Sequence, residues 1–256
     1  NLYVRQNLMP IISSAAMLEE WLAKCLERNE AYPSAFHFDT GMNRLGFRLN
    51  EAAQVRDRIQ ALGYTPQMVM SHLACADQPN HEKNRTQLAL FASVMNQFPG
   101  VPASLANSAG LMTGRDYHFQ MVRPGIALYG GRAVNGRKNP MAPVVTLHVP
   151  ILQVKEARTG ESVGYGATQS LSRDSRLAII SHGYADGFFR SLSGSNMRPG
   201  GKVAIRGKIC PVIGRVSMDQ VTIDITELGP DIPNPGEGAE VLGNLVSVDD
   251  QADAGG

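Results

Sequence analysis

Residues 119–131, FQMVRPGIALYGG, combine two apolar runs with a glycine-containing loop that carries an arginine. The run that ends at Val122 predicts a buried strand, and Arg123-Pro124-Gly125 predicts a loop at its end. Gly125 lets the backbone come close to a ligand, and the N–H groups after it can hold a phosphate or another anion. Arg123 adds a positive charge that is kept at working pH. The same spacing also fits an ordinary strand, a turn and a surface arginine, so both interpretations stay open at this point.

Upstream of this stretch, strand-like and helix-like patterns alternate along the chain. Short apolar runs predict strands over residues 9–12, 35–38, 68–73 and 103–106, and residues 121–122 complete the series. Apolar residues at helical spacing predict helices over about 16–28, 51–62 and 84–97. Alternation of this kind predicts parallel strands with right-handed crossovers, hence a barrel or a doubly wound sheet. An eight-stranded barrel would need about three further βα units upstream.

Polar side chains follow the predicted strands. In both architectures, ligands bind at the carboxyl ends of the parallel strands. Arg44, His72, Asn107, Ser108 and Arg123 all fall at such ends. We therefore expect these five side chains to contribute to one site.

The pattern changes after residue 138. Short runs with alternating or β-branched residues predict strands over 144–152, 176–181, 202–205, 209–213 and 220–225, with Gly and Pro between them. No helical pattern longer than a turn or two is evident there. The chain is therefore predicted to contain an α/β domain over residues 1–138 and an all-β domain over residues 139–256.

Composition narrows the functional class. The 256 residues are 43% hydrophobic and 18% charged with a net charge of +1, which favours a globular protein and gives no reason to expect nucleic acid or an anionic membrane. Cys25, Cys75 and Cys210 lack CxxC spacing, which predicts reduced thiols in a cytoplasmic protein and no metal site. No apolar run approaches the roughly 20 residues of a membrane span, and no signal peptide opens the chain.

Seven segments together resemble alanine racemase, in order and at similar spacing. They are DTGMNRLG (39–46), SHLACAD (71–77), LANSAG (105–110), VRPGIALYG (122–130), VGYGAT (163–168), HGYADGFFR (182–190) and GRVSMDQ (214–220). The family is a pyridoxal 5′-phosphate (PLP) enzyme with a (β/α)8 barrel, a C-terminal β domain and a head-to-tail homodimer. The resemblance implies a partial barrel followed by a β domain, and an isomerase that interconverts L- and D-alanine for peptidoglycan.

The resemblance also implies catalytic roles. Racemisation removes the α-proton on one face of the substrate and returns a proton on the other, so two acid/bases must flank the cofactor. The Tyr165 position matches the family's second base, which the partner subunit supplies. His72 is implied as its hydrogen-bond partner. Arg123 matches the arginine that donates to the pyridine nitrogen, where many other PLP enzymes place a carboxylate that keeps the ring protonated.

Other positions match binding residues of the family. Ser108, Gly125 and Ile126 match the phosphate ligands, and Arg44 matches the arginine near the cofactor phenolic oxygen and the substrate carboxylate. Asn107 is assigned to the cofactor site with them. Met218 matches the residue whose backbone N–H meets the substrate carboxylate. The implied gate of the substrate channel consists of Tyr184, Asp77, Arg190 and Arg215.

Three departures from the family pattern stand out. The Schiff-base lysine of the family lies in a motif resembling KANAYGHG, and none of the six lysines here does. They are Lys24, Lys83, Lys138, Lys155, Lys202 and Lys208. The family's C-terminal phosphate-binding tyrosine is also missing. Because the chain opens at Asn1 without an initiator Met and stops at Gly255-Gly256, we expect it to be a piece of a longer polypeptide.

The third departure is His37, which occupies the place of a lysine that is carbamylated in many family members. Carbamylation would add a negative charge that steadies Arg44, and a histidine cannot supply that charge. Chloride or another anion could do so. A chloride-dependent rate would support this hypothesis, and indifference to anions would count against it.

Two alternatives remain. The first alternative is another PLP enzyme, a broad-spectrum or serine racemase. Substrate choice depends on a few pocket side chains, and one methylene or hydroxyl of the substrate changes the binding free energy by only about 1–3 kcal/mol in such a pocket. The chain could also be a non-catalytic fragment or dimer-forming module without covalent PLP. Small non-catalytic PLP-binding barrel proteins are excluded by the β domain, which they lack.

Overall fold

The computed structural model describes residues 2–256, apart from the side chain of Val4. The chain divides into two compact units. The first contains the residues up to Ala127 together with Ala133–Asn139, and the second contains Leu128–Arg132 together with Pro140–Gly256. Arg132 belongs to the second unit because its backbone N–H donates to Asp249 Oδ1 at 2.7 Å and its guanidinium pairs with Asp253. Within the described part of the chain, no helix is long and apolar enough to cross a membrane.

The first unit is an α/β unit in which strands and helices alternate. Its strands are β1 (Ile11–Ile12), β2 (Ala35–His37), β3 (Met68–Met70) and β4 (Ala103–Ser104). Its helices are α1 (Leu2–Arg5), α2 (Ala15–Arg28), α3 (Ala52–Gln60), α4 (Glu82–Met95) and α5 (Ser108–Thr113). The strands pair in parallel in sequence order, β1-β2-β3-β4. Parallel strands in this order are the arrangement of one part of a (β/α)8 barrel.

Burial explains why these elements form. β2 and β3 are buried along their whole length, as expected of parallel strands covered on both faces. Phe36 of β2 and Phe38, which directly follows the strand, are fully buried and pack on Phe47 and Phe98 with ring centroids 5.3–6.5 Å apart. Burial of aromatic side chains contributes strongly to the stability of the fold. Here it fixes β2 to Phe47, at the far end of the loop that follows the strand.

The predicted last strand, at residues 121–122, is wrong as a regular strand. Met121 forms a single parallel bridge with Ser104, and the backbone N–H of Arg123 donates to Ala106 O at 2.9 Å. Pro124 has no N–H to continue the ladder, so the chain leaves the sheet there. The second apolar run, which closes the stretch, forms the 3₁₀ helix Ile126–Tyr129.

The second unit is mostly β. Its strands are β5 (Leu147–Ala157), β6 (Ser162–Val163), β7 (Gln169–Ser170), β8 (Ser175–Ile180), β9 (Lys202–Ile205), β10 (Lys208–Pro211), β11 (Val221–Asp224) and β12 (Gly238–Leu242). Six of these form an antiparallel sheet in the order β10-β9-β12-β5-β8-β11, and β6 pairs with β7. The pattern of short alternating runs therefore predicted the class of this unit and five of its strands.

One helix of the second unit was not predicted, α6 (Val248–Gly255). Ser247 caps it by accepting from Asp250 N at 3.1 Å, and Asp250 Oδ2 accepts in return from Ser247 N at 2.9 Å. Gln251 is buried and donates to Lys202 O and Val241 O, which fixes the helix to β9 and β12. The expectation that this unit has no helix longer than a turn or two is therefore wrong.

Candidate active site

Arg123 lies where the ends of β3 and β4 meet. Its guanidinium donates to Ser104 Oγ and to Ser71 O, the latter at 2.6 Å, and Nη2 lies 3.4 Å from His72 Nδ1. Burial lowers the pKa of this guanidinium, but an arginine stays charged at neutral pH. Among the described residues, no carboxylate forms an ion pair with it. The half-buried guanidinium of Arg123 is therefore held by a hydroxyl, a backbone carbonyl and an imidazole.

His72 is neutral at physiological pH. Burial lowers its pKa to about 4, and the charges of Arg123 and Arg44 act in the same direction. Because a guanidinium only donates, Nδ1 faces Arg123 as an acceptor, which assigns the ring hydrogen to Nε2. Asn107 Nδ2 lies 3.5 Å from Nε2, and two donors cannot bond each other. The Nε2–H group thus keeps its capacity to donate.

We expect the low pKa of His72 to make stability depend on pH. The folded-state pKa, about 4, lies below the unfolded value of about 6.5, so the unfolded chain binds more protons between these values. The contribution of His72 to stability is present above about pH 6.5 and is lost as the pH falls towards 4. Urea unfolding followed by the fluorescence of Trp21, the single tryptophan, should show a weaker loss in His72→Gln than in wild type. Equal losses in both proteins would contradict this assignment.

Ser108 lies against the loop at Gly125 that was predicted to hold an anion, and Asn107 directly precedes Ser108. Ser108 Oγ accepts from Gly125 N at 2.7 Å and from Ala127 N at 3.3 Å. A Cβ at Gly125 would meet no atom within 4 Å, so space for a ligand exists beside this backbone. Asn107 caps α5 by accepting from Gly110 N at 2.9 Å. Ile126 comes directly after Gly125 and begins the 3₁₀ helix Ile126–Tyr129. Its side chain is exposed.

Arg44 is carried by a loop that Asp39 and Gly46 shape. Asp39 Oδ1 accepts from the N–H groups of Gly41, Met42 and Asn43 at 2.8–3.1 Å. Gly46 has a φ of +125°, and a Cβ there would lie 2.6 Å from Asp39 N, so only glycine fits. Arg44 itself is exposed. Burial is the largest cause of the lowered pKa of His37 and of His72, and the charge of Arg44 acts in the same direction on both.

His37 is buried in β2, and burial followed by the charge of Arg123 lowers its pKa. A neutral imidazole at this position adds no negative charge for Arg44. The anion hypothesis for Arg44 therefore stays a prediction. It is tested by measuring turnover in chloride and in a bulky organic anion at equal ionic strength, and we expect the higher rate in chloride.

Asp77, one of the predicted gate residues, is held by the first unit. Its Oδ2 accepts from Asn135 Nδ2 at 2.7 Å, and its backbone oxygen accepts from Asn135 N at 2.9 Å. The double contact fixes the loop that follows His72. Asn135 had no signal in the sequence, because it lies in a polar linker 58 residues away.

Tyr165 projects from a tight turn in the second unit. Its side chain is 71% exposed, between Gly164 with φ +73° and Gly166 with φ +74°. A Cβ on Gly166 would come within 3.3 Å of the guanidinium of Arg215, so that group packs against the turn. The structure therefore presents the phenol outward on a backbone that glycine makes possible.

Tyr184, Arg190 and Met218 are also brought together in the second unit. Tyr184 N donates to Ser217 O at 3.0 Å, and Ala185 N donates to Met218 O at 2.9 Å. The guanidinium of Arg190 lies 5.7 Å from the centre of the Tyr184 ring. Thus the segments HGYADGFFR and GRVSMDQ form one surface, on which Met218 is 57% exposed.

Comparison with known proteins accounts for this combination of features. The family model "Alanine racemase, N-terminal domain" matches residues 1–133, and "Alanine racemase, C-terminal domain" matches residues 144–256. The chain belongs to the alanine racemase family. An alanine racemase of Rhizobium meliloti is 46% identical over all of this chain and 69% of its own length. A biosynthetic one of Agrobacterium fabrum is 45% identical over 98% of this chain and 66% of its own length.

Solved structures of alanine racemases share the fold. The biosynthetic enzyme of Pseudomonas aeruginosa matches with a TM-score of 0.87 and 32% identity, covering 99% of this chain and 69% of that one. The enzyme of Bartonella henselae, solved with covalently bound pyridoxal phosphate, matches with a TM-score of 0.85, 32% identity and the same coverage. This chain thus spans about two thirds of the length of the alanine racemases it matches.

Gly183 lies where the two surface segments of the second unit contact each other, and we expect Gly183→Ala to destabilise the protein. A Cβ there would lie 2.3 Å from Met218 O and 2.5 Å from Asp219 N, which forces backbone to move. We expect a loss of about 3 kcal/mol in the free energy of unfolding. Gly114→Ala is the matched control, because its added Cβ meets nothing within 4 Å. Equal midpoints in urea for the two variants would refute the expectation.

Proposed function

We propose that this chain takes part in the PLP-dependent interconversion of L-alanine and D-alanine. The observation that carries the proposal is Arg123, a half-buried cation whose described partners are Ser104, Ser71 and His72 and include no carboxylate. Such a group can donate to a heteroaromatic nitrogen and cannot give up its proton. Supply of D-alanine for peptidoglycan and a cytoplasmic location are parts of the same proposal. The three cysteines are free thiols, which supports the proposed cytoplasmic location.

The residues around Arg123 fit the cofactor. Ser108 Oγ accepts from the N–H groups of Gly125 and Ala127 and keeps its own O–H to donate, and the space beside Gly125 is open, so this hydroxyl is suited to meet a phosphate. We assign Ser108, Gly125 and Ile126 to the phosphate, Arg123 to the pyridine nitrogen, and Arg44 and Asn107 to the remaining polar groups of the cofactor. When bound, PLP spreads the negative charge that the substrate Cα bears after proton removal.

Arg123 would limit how far that charge spreads. Because the guanidinium donates without releasing its proton, it would leave a ring nitrogen beside it unprotonated. A less delocalised charge favours return of a proton to Cα over side reactions such as transamination. Arg44 and the backbone N–H of Met218 would hold the substrate carboxylate.

Tyr165 is the acid/base that this chain supplies. An exposed phenol on a rigid turn suits delivery into the site of a second copy, and we propose a head-to-tail homodimer on this basis. A phenol has a pKa of about 10, so a donor at its oxygen is needed to favour phenolate. His72 offers that donor through Nε2–H. Tyr184, Asp77, Arg190 and Arg215 are proposed to line the substrate channel.

The test combines mass and activity. The polypeptide made from the native gene is reduced with borohydride in the presence of PLP, weighed intact, and assayed for D-alanine and D-serine formation. We expect one pyridoxyl adduct and faster turnover of alanine than of serine. The chain 1–256 alone, whose six lysines lie outside the family motif, should gain no adduct and should not racemise. An adduct-bearing polypeptide that leaves alanine unchanged would overturn the proposal, and faster serine turnover would favour a serine racemase.

A further inference from the structure

Gln87 lies on the inner face of α4 and is fully buried. Its Oε1 accepts from the backbone N–H of Ala74 at 2.8 Å, and its Nε2 donates to the backbone oxygen of His72 at 2.9 Å. One side chain therefore binds the loop after β3 on both sides of Leu73. The contact with His72 O fixes the peptide plane that directly follows the His72 Cα, and the contact with Ala74 N fixes the next plane along the chain.

A third contact of Gln87 leads towards Arg123. Nε2 also lies 3.1 Å from Thr40 Oγ1, which is 2.8 Å from Ser71 Oγ. Thr40 and Ser71 are buried, and Ser71 O accepts from Arg123 at 2.6 Å. The buried chain of contacts thus runs from α4 to the guanidinium that faces His72.

A neighbouring amide shows what such contacts do elsewhere on α4. Asn84, one turn earlier and also fully buried, donates to Cys75 O at 3.1 Å and to Gln78 O at 3.0 Å. It holds the later part of the same loop through its side-chain amide. The two amides therefore divide the loop. Gln87 bonds its histidine end, where Asn107 Nδ2 also donates to Leu73 O at 3.3 Å.

We infer that Gln87 is a positioning residue, which sets the orientation of His72 and, through Thr40 and Ser71, that of Arg123. The inference rests on the proposed function, in which His72 Nε2–H donates to the phenolate of Tyr165. An amide suits the task because it donates and accepts at once, whereas a carboxylate only accepts and a thioether does neither strongly. Leaving Ala74 N–H and His72 O without a partner would let the loop shift, and a displacement of about 1 Å can cost about 10²-fold in rate.

The consequence should depend on the direction of the reaction. In a two-base racemisation, Tyr165 removes the α-proton from one enantiomer, and another base removes it from the other. A displaced His72 slows proton removal by Tyr165 more than removal by the other base. The primary deuterium isotope effect with α-deuterated alanine should therefore rise more in the Tyr165 direction. A merely structural role for Gln87 would leave that asymmetry unchanged.

The experiment uses the PLP-loaded enzyme and the variants Gln87→Met and Gln87→Glu. Val94→Ala is the control, because Val94 is buried on the same helix in the hydrophobic core and contacts no site residue through hydrogen bonds. We expect both Gln87 variants to lower kcat by about 10²-fold with little change in KM, and to raise the isotope effect in one direction. The control should lower the melting temperature only.

Each outcome separates the two claims. A wild-type enzyme that does not racemise alanine would defeat the proposed function itself. An active wild type with Gln87 variants that match Val94→Ala in kcat and in both isotope effects would defeat the positioning role alone. If neither Gln87 variant yields folded holoenzyme while Val94→Ala does, Gln87 is a folding residue and the inference is wrong.

Discussion

Replacement of Tyr165 by phenylalanine is expected to lower the rate of alanine racemisation by about 10²–10⁴-fold, the usual contribution of a general acid/base. The change removes the hydroxyl group and keeps the ring. Because the side chain is 71% exposed, its loss should leave the free energy of unfolding nearly unchanged. A large fall in kcat without a fall in stability is therefore the signature of a chemical role.

The control for Tyr165→Phe is Tyr3→Phe, which removes the same atom from a tyrosine whose ring packs against Trp21 at 6.0 Å. Racemisation should be measured from L-alanine and from D-alanine for each protein, together with its melting temperature. We expect the control to keep its activity. Retention of near-normal turnover by Tyr165→Phe would remove Tyr165 from the mechanism and leave the second proton donor to be found elsewhere.

Much of the fold followed from local pattern. Alternating apolar runs and helical spacing predicted the parallel strands of the first unit, because a buried strand and an amphipathic helix each leave their own period in the sequence. The helix α5 was not predicted, since it has only six residues and its start depends on the cap at Asn107. Likewise β12 and α6 were not predicted. Their stability depends on partners such as Lys202 and Gln251, which are 49 residues apart.

Less of the candidate site than of the fold could be predicted from local pattern. The roles of Arg123, His72 and Tyr165 came from resemblance to alanine racemase, and they remain proposals. Strand-end position alone predicted that Arg123 and His72 would share a site, and their side chains do lie 3.4 Å apart. The partners of Arg123 could not be predicted, because Ser71 lies 52 residues and Ser104 lies 19 residues before it. The parallel pairing of β3 with β4 brings these groups together.

Replacement of Arg123 is the second change with a large expected effect. Lysine keeps the charge but not the planar fork, so it cannot bond Ser104, Ser71 and a ring nitrogen together. We expect Arg123→Lys to lower kcat by about 10²–10³-fold, the usual cost of losing a preorganised donor. Glutamate should act differently, because a carboxylate accepts a proton and would keep the cofactor nitrogen protonated.

Arg123→Glu should therefore divert turnover as well as slow it. A protonated ring draws more charge from Cα, which favours transamination, so pyruvate formed per D-alanine should rise relative to wild type. Arg115→Glu, the same charge change at an exposed arginine of the first unit, is the control and should leave that ratio unchanged. Pyruvate and D-alanine are measured in the same reaction, and their ratio shows whether Arg123 controls reaction specificity. If the ratio stays constant in Arg123→Glu while kcat falls, Arg123 supports the site only by binding, and reaction specificity must come from other groups around the cofactor.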